Sequence, residues 1–267
     1  MSQAMNQTVH VVKIGGNIIN DPQALETVLD HFAALRGPKV LIHGGGKLAT
    51  ELAGKLNIPQ TMVQGRRVTD LETLRIAVMV YGGLINKSIV AGLQARGIQS
   101  VGVSGADFDL IRATKRNPLP VDYGFVGDIS SVNDSALNAL IDSGTTPVFA
   151  PLSHDGKGGL LNTNADTIAY EVAKALAGRF QVRLLFTFEK EGVLLDVSDE
   201  RSRVPDLSPG RYQELREQGK ITDGMIPKLD NAFRAIDAGV SEVILGRAEV
   251  LPHLIDRTRG TRLSRDA

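Results

Sequence analysis

VHVVKIGGN (Val9–Asn17) and VLIHGGGK (Val40–Lys47) decide how this chain is read. In each, a run of aliphatic, mostly β-branched residues ends abruptly in glycine. Such runs favour pleated strands, and glycine directly after one marks a tight turn out of it. Between the two, Asp21 is a plausible N-cap and Pro22 suits a first helical turn, so Pro22–Leu35 is expected to be a helix. Lys47–Leu56 is expected to be the next one. A strand, glycine turn and helix therefore occur twice in succession, which is the start of an α/β protein.

The alternation continues outward from there. Thr61–Val68 reads as an extended or hairpin segment. Thr69 and Glu72 fit a capping box. The helix they open carries Leu71, Leu74, Val78, Ile85, Ile89 and Leu93 at mostly helical spacing and ends near Arg96–Gly97. It spans about 25 residues, or nearly 40 Å at ~1.5 Å per residue. Its middle, with Ala77, Met79, Val80, Tyr81 and Leu84, is apolar on more than one face. Two destinations suit such a helix: burial at the centre of the fold, or sharing with a second subunit. Further along, Leu110–Thr114 and Phe125–Val132 are expected to pair around the loop Asn117–Asp122. Strands are expected at Ser100–Val103, Thr146–Pro151, Val182–Thr187 and Val243–Leu245, and helices at Ser135–Asp142, Ala165–Ala177, Ser208–Gln218 and Met225–Ala238. The pattern predicts a mainly parallel sheet covered by helices on both faces, with a lobe boundary near Ala177–Gln181.

Composition narrows the function. The 267 residues suffice for one large domain or two lobes, and 42% are apolar. Thirty basic residues balance thirty acidic ones, so no general attraction to nucleic acid or acidic membranes is expected. The absence of cysteine excludes disulfides, thiolate nucleophiles and Cys-based zinc sites. With no Trp and 4% aromatics, base-stacking platforms are not expected. Met1–His10 is polar and lacks the apolar segment of a signal peptide, and no apolar run is expected to reach the ~18 residues of a membrane helix. The resulting expectation is a cytoplasmic protein.

Any anion site must then be local. Ligands of open α/β sheets gather at the carboxyl ends of the strands. Glycines there let backbone N–H groups approach an anion. Lys13 leads into Gly15 and Gly16, and Gly44–Gly46 leads into a helix N-terminus, so both clusters read as oxyanion cradles. A single cluster would be no more than a tight turn. Two on successive strands, one beside a lysine, favour phosphate. Neither is a Walker or dinucleotide fingerprint. TDGMIPK (Thr222–Lys228) places a helix start around Thr222–Gly224, with Lys228 near the positive end of the helix dipole. A bound anion would reverse that unfavourable placement. NTNAD (Asn162–Asp166) also opens a helix: Asn164 suits a cap, and Asp166 a carboxylate that holds converging lysines. In GRRVTD (Gly65–Asp70), either Arg66 or Arg67 suits a bidentate grip on a substrate carboxylate.

KIGGN, HGGGK, GRRVTD, NTNAD and TDGMIPK, in this order and at these separations, resemble the amino acid kinase family over nearly the whole chain. Within it the motifs are most similar to the branch that phosphorylates the side-chain carboxylate of N-acetyl-L-glutamate in arginine biosynthesis. The resemblance implies a three-layer αβα sandwich with a mainly parallel central sheet. It implies that residues 1–178 bind the acyl amino acid and form the dimer, and that residues 179–267 bind ATP, with Mg²⁺ carried by the nucleotide. By position it assigns catalysis to Lys13, Lys228 and Asp166, and substrate binding to Gly45, Gly46, Arg67 and Asn162. It assigns phosphate and nucleotide contacts to Gly15, Gly16, Gly192, Gly224 and Met225. It implies a homodimer built on the long helix. With twelve residues ahead of Lys13, the N-terminal helix that builds hexamers in arginine-inhibited relatives is not expected.

Two places depart from the family pattern. Phe188–Gly192 reads Phe-Glu-Lys-Glu-Gly where relatives have Thr/Ser-Asp-Val-x-Gly, and Phe108 stands where glycine is common. The chemistry expected is phosphoryl transfer to a carboxylate. At a reference pKa of ~4.3 that acceptor is already ionised and needs no general base. His43 and His154 accordingly read as turn or packing residues. The competing readings are a sister kinase acting on N-succinylglutamate or another acyl amino acid, and a non-catalytic effector-binding protein on the same fold.

Overall fold

The computed structural model describes residues 7–63, 65–221 and 225–265. β1 (Thr8–Ile14) turns through Gly15 into the short α1 (Gly16–Asn20). α2 (Pro22–Ala34) follows, its N-terminus capped by the Asp21 carboxylate, which accepts from Gln23 N at 3.0 Å and Ala24 N at 3.1 Å. β2 (Lys39–His43) and α3 (Gly46–Lys55) repeat the step. The hairpin β3 (Thr61–Val63) and β4 (Arg66–Val68) precedes α4 (Leu71–Ala77), a π-helical segment (Val78–Ile85) and α5 (Asn86–Ala95). Next come β5 (Ser100–Val103), β6 (Ile111–Lys115), β7 (Gly127–Val132) and α6 (Asp134–Asp142). β8 (Thr146–Phe149), β9 (Leu152–His154), β10 (Leu160–Asn162) and α7 (Ala165–Ala177) complete the first two thirds. The remainder is β11 (Gln181–Phe188), β12 (Asp206–Leu207), α8 (Pro209–Glu217), α9 (Ile226–Asp237), β13 (Glu242–Arg247), α10 (Leu251–Ile255) and β14 (Thr261–Leu263).

Eight strands form the central sheet in the order β12-β14-β13-β11-β1-β2-β8-β5, all parallel except the β13–β14 pair. Alternate side chains of each strand enter opposite layers. Val9, Val11, Val40, Ile42, Val182, Leu184, Val243 and Leu245 pack with α6, α7, α8 and α9. Val12, Ile14, Leu41, Leu185 and Ile244 pack with α2, α3, the long helix and α10. These are the three layers expected from the alternation. No break in packing marks residues 177–181: β1 pairs directly with β11, and one cluster joins Val9 and Val40 to Leu229 and Val243. One sheet therefore runs on both sides of residues 177–181.

The register sets the working rim. Ile14 lies opposite His43, and Lys13 lies between Ile42 and Phe186. Both glycine turns thus leave the sheet at one level, and Gly44 N donates to Ile14 O at 3.1 Å. A second sheet, β10-β9-β6-β7, contains the expected hairpin and is tied back through Thr69, whose N–H donates to Tyr123 O at 2.8 Å.

Two local expectations are corrected. Asp70, not Thr69, caps the long helix, accepting from Thr73 N at 2.8 Å. Thr69 is buried and committed to the second sheet, so its side chain does not reach the helix. The helix also meets the length and composition of a membrane span over Leu71–Ala95, contrary to the expectation that no segment would. The reason is its apolarity on several faces: Ile76, Val80, Tyr81, Ile85, Ile89 and Leu93 are buried in this core, while Leu71, Met79 and Leu84 are exposed.

Two buried histidines carry a stability consequence. His43 is fully buried; its Nδ1 donates to Gly44 O at 2.7 Å, and its Nε2 accepts from Asn86 Nδ2 at 3.3 Å. Burial holds its pKa down at about 4. His10 is brought down to about 4 by burial and then by its strand neighbours Arg183 and Lys39, and neither ring nitrogen has a partner. Both folded values lie below the unfolded value of 6.5, so the unfolded chain takes up these protons first as pH falls. Unfolding free energy is expected to drop between pH 6.5 and about 4, by about 1.4 kcal/mol per pH unit for each histidine. Urea titrations across that window check this, and a flat profile would contradict it. His10→Val is expected to remove about half of the slope, because one of the two protons is gone.

Candidate active site

Lys13 stands at the carboxyl end of β1 with its side chain mostly covered, and its Nζ donates to Asp166 Oδ1 at 2.8 Å. Asp166 is the second residue of α7, where the helix dipole favours a carboxylate. Asn164 caps that helix, accepting from Asp166 N at 2.8 Å and Thr167 N at 3.2 Å, so the aspartate's position is set by its backbone. On the neighbouring strand, Thr187 Oγ1 donates to Lys13 O at 2.8 Å. The lysine thus has its main chain and its ammonium group both held.

The glycine turns stand side by side. A side chain at Gly44 would come within 3.4 Å of Gly16 N. Gly45 adopts φ +153° and packs so closely that a Cβ would lie 2.4 Å from Ile85 Cδ1. Only glycine lets α3 begin against the long helix. Gly15 and Gly16 line a cavity of about 800 Å³ with Lys13, Gly192, Met225 and Lys228. Gly45, Gly46, Arg67 and Asn162 line a second of about 370 Å³, which also touches Asp166 and Lys228. The two cavities share Gly46 and Lys228. A smaller cavity of about 250 Å³ is lined by Lys13, Asp166 and Lys228 together. Two cavities that meet at the Lys228 side chain and Gly46, with Lys13 beside them, suit transfer of an anionic group from one ligand to another.

Lys228 lies in the first turn of α9, as its motif predicted, although α9 begins at Ile226 and the expected start at Thr222–Gly224 lies outside the described residues; its Nζ is 4.9 Å from the Phe188 ring centroid. Gly224 lies outside the described residues. Gly192 adopts φ +152°, and a Cβ there would stand 2.5 Å from Thr261 Oγ1. Of the two arginine candidates, Arg67 is the anchored one: its Nη2 donates to Gly46 O and Thr50 Oγ1, both at 2.8 Å, and its Nη1 donates to Gln60 Oε1. Arg66 is exposed and lines both smaller cavities. Asn162 Nδ2 donates to Thr69 Oγ1 at 3.0 Å.

Several residues beside these cavities were assigned no role from the sequence. Tyr81 is buried in the π-helical segment beside Gly45 and Arg67; burial raises its phenol pKa, and Arg67 opposes the rise. In an apolar helical run its hydroxyl reads as core. Arg116, held by Asp128 and stacked 5.6 Å from Tyr123, lines the 370 Å³ cavity from the second sheet. Phe188 reads as a departure from a motif, yet it forms the platform under Lys228. Glu189 and Lys190 line the largest cavity. Glu191 turns inward; its carboxylate accepts from Arg259 Nη1 at 3.1 Å and is ion-paired with Arg247, whose Nε lies 3.3 Å away. Phe108 is 65% exposed and lines neither the 800 Å³ nor the 370 Å³ cavity.

Comparison with known proteins agrees with this geometry. The profile of the amino acid kinase family matches residues 8–246. An acetylglutamate kinase of Phocaeicola vulgatus is 53% identical over 247 residues, covering 92% of this chain and 96% of that protein. One of Bacteroides fragilis is 50% identical over 265 residues, covering 99% and 100%. Among solved structures, N-acetylglutamate synthase from Neisseria gonorrhoeae, complexed with coenzyme A and N-acetyl-glutamate, superposes with a TM-score of 0.80 at 21% identity. It covers 99% of this chain and 61% of that one, and shows the shared fold. With the family profile spanning most of the sequence and relatives at half identity from end to end, the chain belongs to the amino acid kinase family.

Proposed function

We propose that this chain is an ATP-dependent kinase of N-acetyl-L-glutamate, forming N-acetylglutamyl 5-phosphate in arginine biosynthesis. The observation that carries the reading is the Lys13–Asp166 pair at 2.8 Å, set among cavities that Lys228 also lines. The names of the half-identical relatives support the substrate. In the reaction a side-chain carboxylate oxygen attacks the terminal phosphorus of ATP, forming the acyl phosphate O–P bond. The bond to the bridging oxygen breaks, and its electron pair leaves with ADP. No proton moves, because the acceptor is already ionised at neutral pH. Lys13 and Lys228 neutralise charge on the migrating group and the leaving diphosphate, and the amides near Gly15, Gly16 and Gly45 add fixed dipoles. Asp166 holds the Lys13 ammonium in line. The lysines and glycine amides fit a nucleotide triphosphate, and Mg²⁺ arriving on the nucleotide supplies further charge neutralisation when bound.

In this reading the 800 Å³ cavity, walled by Gly192, Met225 and residues of the C-terminal lobe (179–267), takes ATP. The 370 Å³ cavity, built chiefly from residues of the N-terminal lobe (1–178), takes the acyl amino acid, with Arg67 and Asn162 as its polar contacts. The exposed Leu71, Met79 and Leu84 of the long helix form the face of a homodimer. A second reading of the acyl group, N-succinyl, is favoured by one feature: Arg66 and Arg116 line the same cavity as Arg67, and the extra carboxylate of a succinyl group would pair with them.

Lys13→Ala and Lys228→Ala are each expected to lower kcat at saturating substrates by roughly 100-fold or more, as for loss of a transition-state donor. Near-normal kcat in either would remove that residue from the mechanism. Arg67→Ala is expected to raise KM for the amino acid selectively; a selective rise in KM for ATP would contradict the lobe assignment. Steady-state kinetics with N-acetyl- and N-succinyl-glutamate decide the acyl group. Under the first reading the acetyl substrate has the higher kcat/KM. Under the second, the succinyl substrate wins and Arg66→Ala or Arg116→Ala erases its advantage. Met79→Glu with Leu84→Glu is expected to shift sedimentation from dimer to monomer, and an unchanged dimer would place the interface elsewhere.

A further inference from the structure

The sheet has a second charged rim, at the amino ends of its strands. There Arg183, Arg257, Arg262 and Arg265 line a cavity of about 420 Å³ together with Thr8 and Ser264. That volume falls in the range of small-molecule sites. Glu242 is the one acidic residue lining it among the described residues, and it is 4% exposed. Arg257 Nη2 donates to Glu242 Oε2 at 3.1 Å, and Arg183 Nε at 2.6 Å and Arg262 Nε at 3.6 Å are ion-paired with the same carboxylate without a well-aligned hydrogen bond. Among the described residues, the other carboxylates paired with these arginines stand outside: Asp206, 3.6 Å from Arg262, and Asp237, 3.9 Å from Arg265, are 55% and 77% exposed at their side chains. At such exposure and distance they offset little of the charge.

This imbalance is not the habit of the chain. At the opposite rim Arg247 and Arg259 are matched by Glu191 and Glu200, two cations to two anions. Here three guanidinium groups share one buried carboxylate. Each has five N–H donors in a fork that fits carboxylate or phosphate oxygens. Arg262 Nη2 donates to Ser264 Oγ at 2.9 Å, and Arg265 Nη2 reaches Ile236 O and Asp237 O at 3.3 Å, which leaves donors over in each fork. His10, next to Arg183 in the sheet, is held neutral, so it adds no charge to the cluster. The eight residues of β11, at ~3.3 Å each, put this rim about 23 Å from the Phe188 end that borders the proposed ATP cavity.

We propose that this cavity is an anion-binding site, separate from the catalytic cleft, for a small ligand carrying two or more carboxylate or phosphate groups.

The test is isothermal titration of the full chain with citrate and, in parallel, with inorganic phosphate. Lys13→Ala is the background, to weaken anion binding at the catalytic rim. The probe variant adds Arg257→Ala and Arg265→Ala, whose side chains are 48% and 62% exposed, leaving Arg183 and Arg262 to hold Glu242. A charge-matched control adds Arg211→Ala and Arg216→Ala on the outer surface of α8 instead. Binding of at least one anion, weakened tenfold or more by the probe pair and less than twofold by the control pair, supports the site; the arm that binds tighter says whether carboxylate or phosphate is preferred. No binding of either anion at millimolar concentration, equal affinity with and without the probe pair, or equal losses from both pairs would overturn it. With Lys13 restored, the probe variant is expected to keep wild-type kinase turnover, so a failure of this site is read apart from a failure of the proposed reaction.

Discussion

The contact between the Lys13 ammonium and the Asp166 carboxylate, 2.8 Å long, organises the whole working rim. It joins the end of the central strand to the start of a helix that the chain reaches some 150 residues later. Each partner is fixed from behind. Lys13 is locked by parallel neighbours on both sides and by the Thr187 hydroxyl on its carbonyl; Asp166 is locked by the Asn164 cap. A lysine left to itself would lose considerable side-chain entropy on being aimed at a phosphate. Here most of that cost falls on folding, and the ammonium group faces the cavities already oriented.

The glycine turns are the other half of the same constraint. Because β1 and β2 pair with Ile14 opposite His43, the two turns must pass within van der Waals distance of each other. A side chain at Gly44 would fill that gap, and one at Gly45 would collide with Ile85 and Tyr81 of the long helix. The 800 Å³ and 370 Å³ cavities therefore meet where the backbone is bare, at Gly46 and the Lys228 side chain. An acceptor that is already an anion needs this more than it needs a base. The neutral, fully bonded His43 beneath the turns supports their shape and takes no part in proton transfer in the proposed reaction.

Much of this was legible in the sequence because it rests on local rules. Strands ending in glycine, Pro22 after an Asp cap, and a lysine three residues into a helix each announce themselves within a few residues. What escaped depends on contacts distant in sequence. The cap of the long helix moved from Thr69 to Asp70 because Thr69 is claimed by Tyr123, Phe125 and Asn162, which no local pattern shows. Tyr81 reads as core until Gly45 and Arg67 are placed against it. Arg66 and Arg67 are equivalent in the sequence; the partners Gly46, Thr50 and Gln60 separate them. The short strands β9, β10, β12 and β14 offer only two or three residues each, too few for a period to emerge. The expected lobe boundary left no mark in the packing, since the sheet runs through it.

The central claim is that the ammonium groups of Lys13 and Lys228 converge on one migrating phosphoryl group. A crystal structure with MgADP, N-acetylglutamate and a planar metal-fluoride mimic of that group tests it most directly. The account predicts both Nζ atoms within about 3 Å of the fluoride ligands, with Asp166 still bonded to Lys13. A structure in which Lys228 stays on the Phe188 ring, out of reach of the mimic while both ligands are bound, would contradict it.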